Sequence, residues 1–183
     1  MIPIRRRRGG GVLIQVHAEY LAGLELRDVD LAGADLAEAD LHSVVLHGVN
    51  LVGADLSGAD LSYAQIAGSA LSRADLFGAN LEQAKLFDTD LSGADLGRAS
   101  LRDATLYAVS LFGANLREAD LSGADATGID LSGAILCGAQ LSAVDLCDAD
   151  LTDAIYDDDT VWPRDLNPTR RGARLAPSEH LAE

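Results

Sequence analysis

Aromatic residues are scarce, at 4% of a 183-residue chain that is nevertheless 48% hydrophobic. The interior must therefore be built from Leu, Ala and Val, which suits narrow, uniform layers better than an irregular globular core. Cysteine is equally thin. Cys137 and Cys147 form no CxxC pair and are too few for a disulfide scaffold, which points to a reducing, cytoplasmic setting. Long apolar runs are missing as well, since nothing approaches the roughly 18 uninterrupted apolar residues that a bilayer span requires. A soluble chain with no membrane partner is expected. Arg5 to Arg8 do precede the apolar run Val12-Leu13-Ile14, but Gln15 and His17 break it and no clear small-residue cleavage site follows, which argues against export.

Catalytic signatures are also absent: the chain contains no GxxxxGK[ST], HExxH or GxSxG. Repeated Gly-Ala-Asp is not a calcium roll, because the glycine-rich nonapeptide is missing. No catalytic residue, metal site or cofactor is expected.

What the chain has instead is a period of five. Leucine occupies 25 of the 27 positions reached in steps of five from Leu21 to Leu151, the exceptions being Ile66 and Ala126. At the 27 sites lying two residues before such centres, from 24 to 154, Ala stands 18 times and Val five, with Asp or Asn common in between. Neither a helix at 3.6 residues nor a strand at 2 can keep such a pattern on one face. If each pentapeptide forms one wall and the chain turns a corner after it, four pentapeptides close one coil. Residues n and n+20 then stack.

Units such as Ala34-Asp35-Leu36 and Ala79-Asn80-Leu81 resemble the pentapeptide repeat family over about residues 21–155. The resemblance implies an all-β fold, a right-handed quadrilateral parallel β-helix, with the centre and the small residue two before it inside. About seven coils are expected, a rod roughly 32 Å long at the ~4.8 Å spacing of paired strands. Leu36, Leu56, Leu76, Leu96 and Leu116 should form one core column. Alternating Leu and Ala lets the layers interdigitate, and Gly, Asp, Asn and Ser suit the corners. Ala126 should leave a small void that the larger Ile129 helps to fill.

The divisions expected are a flexible basic tail over 1–11, the β-helix over 12–155 with a degenerate first cap at 12–20, a C-terminal cap over 156–166, and a flexible tail over 167–183. Both rod ends need covering. Tyr156 and Trp162 are expected to lie as a lid over the last coil.

Charge is the other outlier. Residues 21–155 hold 22 acidic and six basic side chains, a net of −16 in a protein of −15 overall. Asp35, Asp55, Asp75 and Asp95 should climb one edge as a candidate interaction column, although bonds from turn amides are the plainer role for each. Phe87 and Tyr107 should stack as a candidate aromatic contact, and ring-on-ring packing is their plainer role. His42 and His47 fall on adjoining walls, His17 and His180 in the flanks, and the two cysteines on opposite walls. The Arg run is a candidate for anionic contact, with a disordered tail as the simpler expectation.

A net charge per about 2 Å approaches the one per ~1.7 Å of duplex DNA. The resemblance implies a non-enzymatic binding rod, and some members of the family mimic DNA toward DNA gyrase or topoisomerase IV. Leu rather than Phe at the centres, an uninterrupted array and a polar tail depart from those members. The alternative is a structural adaptor that binds another protein through its walls. Direct nucleic-acid binding is not expected.

Overall fold

The protein is described by a computed structural model covering residues 2–16 and 20–177. Its chain winds as an all-β parallel solenoid of about eight turns. Register is uniform through the body: Asp35 pairs with Asp55, Asp55 with Asp75 and Asp75 with Asp95, each partner one coil further on. Two backbone bonds fasten each such contact, as where Leu56 N–H donates to the Asp75 carbonyl at 2.7 Å and Asp75 N–H to that of Ala54 at 2.9 Å. One wall extends into a five-stranded parallel sheet of β3 (Glu25–Arg27), β5 (Val45–His47), β6 (Gln65–Ala67), β7 (Lys85–Phe87) and β8 (Thr105–Tyr107). The other walls touch mainly through single bridges.

Corners follow from the same unit. After each centre the backbone enters the left-handed region two residues on, and outside the five-stranded wall the small residue that follows donates back to the centre's carbonyl, as from Ala54 to Leu51 at 3.0 Å. Gly53 sits there at φ 63°, where glycine carries no steric penalty. Tyr63, Ala108 and Ala143 take the same conformation.

Inside, the centre and small positions are sealed from solvent. Leu56, Leu76, Leu96 and Leu116 are fully buried, and Leu36 nearly so at the N-terminal end. Ala126 and Ile129 are both fully buried in the same core. Ser69 and Thr89 stand at small inward sites, and their hydroxyls donate to the Ala67 and Phe87 carbonyls at 3.1 and 3.0 Å. A buried hydroxyl is tolerated when paired in this way.

The N-terminal flank differs from a flexible tail. β1 (Ile2–Arg6) pairs antiparallel with β2 (Val12–Val16) on one side and with β4 (Ala34–Asp35) on the other. Ile4 and Val16 drop into the core cluster, so the hairpin covers the first coils. The cap is an antiparallel hairpin, not a degenerate parallel coil; Met1 and residues 17–19 lie outside the described residues.

The C-terminal flank also departs from expectation. Val161 rather than Thr160 pairs with Gln140, so one extra residue enters before Trp162. The Trp162 and Tyr156 rings meet edge to face at 5.5 Å and pack against the core, while the buried indole N–H has no partner among the described residues. The chain then passes a 3-10 turn, Thr169–Arg171, and returns as β10 (Arg174–Leu175) along β9 (Ile155–Tyr156), one position short of a regular coil. Part of the expected tail thus completes a further turn, with Ala173 buried at an inward site. Residues 178–183 lie outside the described residues. No described helix is long and apolar enough to cross a membrane.

Candidate functional site

The surface is a lattice of carboxylates set by the repeat. An Asp just before a centre turns Oδ1 onto the amide two residues ahead: Asp60 accepts from Ser62 at 2.9 Å, Asp90 from Ser92 at 2.9 Å and Asp120 from Ser122 at 2.9 Å. That bond stabilises the corner and leaves a second oxygen facing outward. Partial burial raises the pKa of Asp60 and Asp120, but bonds from the Ser62 and Ser122 hydroxyls and amides outweigh it and leave both below the ordinary carboxylate value. Both therefore stay ionised at neutral pH.

Like charges stacked in register repel, and two devices relieve the columns. Where Asn replaces Asp at the stacked site, its amide nitrogen donates to the carboxylate one coil back: Asn50 to Asp30 at 2.9 Å, Asn80 to Asp60 at 3.1 Å and Asn115 to Asp95 at 2.8 Å. Elsewhere an arginine intervenes, as Arg7 does between the stacked Asp55 and Asp75.

The structure brings Asp35, Asp55, Asp75 and Asp95 into one ladder, but the column is not open. Arg7 lies across its middle, Nε 2.9 Å from Asp55 and one terminal nitrogen 3.0 Å from Asp75. Asp35 is the register partner of Arg5. Sequence reasoning missed this clasp. Its only signal was four consecutive arginines in an acidic chain, and the hairpin that delivers them depends on pairing that the five-residue period does not encode.

Phe87 and Tyr107 are register partners and both exposed, yet their rings make no ring contact among the described residues. His42 instead meets the Tyr63 ring edge to face at 5.4 Å and shares a hydrogen bond with Ser62. Among the described residues no group of three or more His, Cys, Asp or Glu could hold a metal ion, while His17 and His180 lie outside them. Cys137 and Cys147 are free thiols. Grouped by pentapeptide, each of the four walls carries a net of −4 from its own residues between 21 and 155, before Arg7 is laid across one of them.

A profile of the family described as pentapeptide repeats matches eight copies in this chain, across residues 25–62, 54–93, 64–103, 84–119 and 114–153. No protein of curated function matches. Among solved structures, a pentapeptide repeat protein from Nostoc Pcc 7120 is 36% identical, with 58% of this chain and 84% of that one covered and a TM-score of 0.48. A pentapeptide repeat protein from the Arabidopsis thaliana thylakoid lumen is 32% identical over 63% of this chain and 69% of its own, TM-score 0.40. QnrB1, a plasmid-mediated fluoroquinolone resistance protein, is 22% identical over 85% of each chain, TM-score 0.45.

Proposed function

The chain belongs to the pentapeptide repeat family, and from that premise we propose that it works without catalysis, as an acidic rod that docks on a basic protein surface. Proteins of this family generally serve as structural or binding scaffolds. The observation that carries the reading is the charge of the repeat body: the residues of each wall between 21 and 155 sum to −4, and Arg7 offsets part of that on the wall of Asp55 and Asp75. A groove built for duplex DNA expects charge around a rod at this linear density, one per about 2 Å against ~1.7 Å. DNA gyrase or topoisomerase IV is the candidate partner, reached by mimicry of duplex DNA, with no nucleic acid bound by the rod itself. A cytoplasmic location suits it.

A supercoiling assay with purified gyrase tests the finer claim. Inhibition that competes with duplex DNA and fades as salt rises supports it; no effect at micromolar protein removes the topoisomerase from the reading. The second reading is an adaptor that grips another protein through apolar side chains, supported by Phe87 and Tyr107 standing exposed in one register column. Binding of that kind would persist at high salt and weaken on Tyr107→Ala.

A further inference from the structure

In the N-terminal hairpin and the body, Arg7, Arg27, Arg98 and Arg102 each face a carboxylate directly, while Arg5, Arg6, Arg8, Arg73 and Arg117 pair with none but share no cleft among the described residues. The last turn differs in gathering its unpaired arginines together. Arg174 pairs with Asp153, but Arg164 and Arg170 face no carboxylate among the described residues, and Arg171 reaches only the Ala149 carbonyl, at 3.5 Å. The last three line a single cleft of about 400 Å³, where Asp165 is the one acidic side chain. A net positive cleft is out of character for a protein of net charge −15.

The shape of the last turn creates the cleft. Residues 163–171 arch away from the coil beneath, and Leu146 forms part of the floor they leave uncovered, retaining 4% exposure where inner centres retain none. Leu166 adds an apolar side. At the rim, Asn167 spends its amide oxygen on the Thr169 hydroxyl at 2.7 Å and the Arg170 N–H at 3.2 Å, which leaves its NH2 group as a donor.

We propose that this cleft binds a compact oligophosphate. Guanidinium groups present paired donors that match phosphate oxygens, and three of them offer more forks than one carboxylate can accept, whereas a short phosphoryl chain carries oxygens enough for all. The volume lies in the range of small-ligand sites. This binding is independent of what the acidic walls dock on.

Isothermal titration of the full chain at low ionic strength tests it, with inorganic triphosphate and adenosine triphosphate as probes. One site per chain is expected, with each of Arg164→Ala and Arg170→Ala weakening it at least about tenfold, Arg117→Ala leaving it unchanged, and melting temperatures showing that the variants fold. Asp165→Asn should tighten binding, a gain that no folding defect can imitate. Tighter binding of the nucleotide would assign the base to the apolar floor; equal binding would assign recognition to the phosphate chain alone. Absence of binding at millimolar probe, citrate binding as tightly as triphosphate, or arginine variants that bind like the parent would overturn the proposal.

Discussion

The Arg7 guanidinium spans two coils, 2.9 Å from Asp55 and 3.0 Å from Asp75, and so fastens a strand near the N-terminus to two coils well inside the body. Arg7 is about half exposed (47%), so solvent screens the pair and Arg7→Ala should cost only about 0.5–1 kcal/mol of global stability. Its local effect should be larger. Amide exchange in β1 and β2 is expected to speed up in the variant while the body is unaffected, and unchanged protection would show that Ile4 and the β4 pairing hold the hairpin alone.

The carboxylates predict an acid limit. Asp60 and Asp120 titrate below the ordinary value in the folded state, because serine bonds outweigh partial burial. A depressed folded pKa contributes stability that is present above the unfolded value near 4 and lost as pH falls through the folded one. The melting temperature should therefore hold from pH 7 to about 4 and drop below it. Asp60→Asn with Asp120→Asn should make that drop shallower, since Asn accepts the same corner amide at Asn50 and Asn80, while Asp55, Asp90, Asp150 and Asp157, lowered likewise, keep the remainder. An equally steep drop in the double variant would place the acid sensitivity elsewhere.

Corner residues offer a stabilising route. Ala143 holds φ 59° and Ala108 φ 54°, a region that strains any L residue and glycine enters freely. Ala143→Gly should raise stability by about 0.5–1 kcal/mol, the lost strain exceeding the added chain entropy of the unfolded state. Gly172→Ala should act in reverse and more strongly, because φ is 91° and the new Cβ would stand 3.1 Å from the Thr152 Cα. Chemical denaturation of the two variants measures both signs.

The body was legible in the residues because its period is local: Leu56 and Leu76 stack for the same reason that Asp55 and Asp75 do, four pentapeptides making one circuit. The ends were not legible. Val161 takes the place beside Gln140 that a regular coil would give to Thr160, and Arg174 then takes the place beside Ile155 that it would give to Leu175. No repeat announces an insertion followed by a compensating shortening. β1 has five residues, and its inward Ile4 finds its place only when the antiparallel partner exists. The acidic column could be placed by counting, but its occupant arrives by that non-local hairpin, and the arginine cleft forms only once the chain leaves the repeat.

The array's one undersized centre tests how the core tolerates error. Ala126 stands where every other centre between residues 21 and 151 is Leu or Ile, and Ile129 stands at the next inward site, usually Ala, with both fully buried. If the volume of Ile129 fills what Ala126 leaves, then Ala126→Leu overpacks that layer and costs about 1–3 kcal/mol. Ile129→Ala instead opens a cavity and costs about 2–5 kcal/mol. The double variant restores the regular pair and should recover most of both losses, so that the coupling measured in a double-mutant cycle is large and favourable. Simple additivity of the two losses would mean that the two sites pack independently, leaving Ala126 as an uncompensated gap in the Leu column.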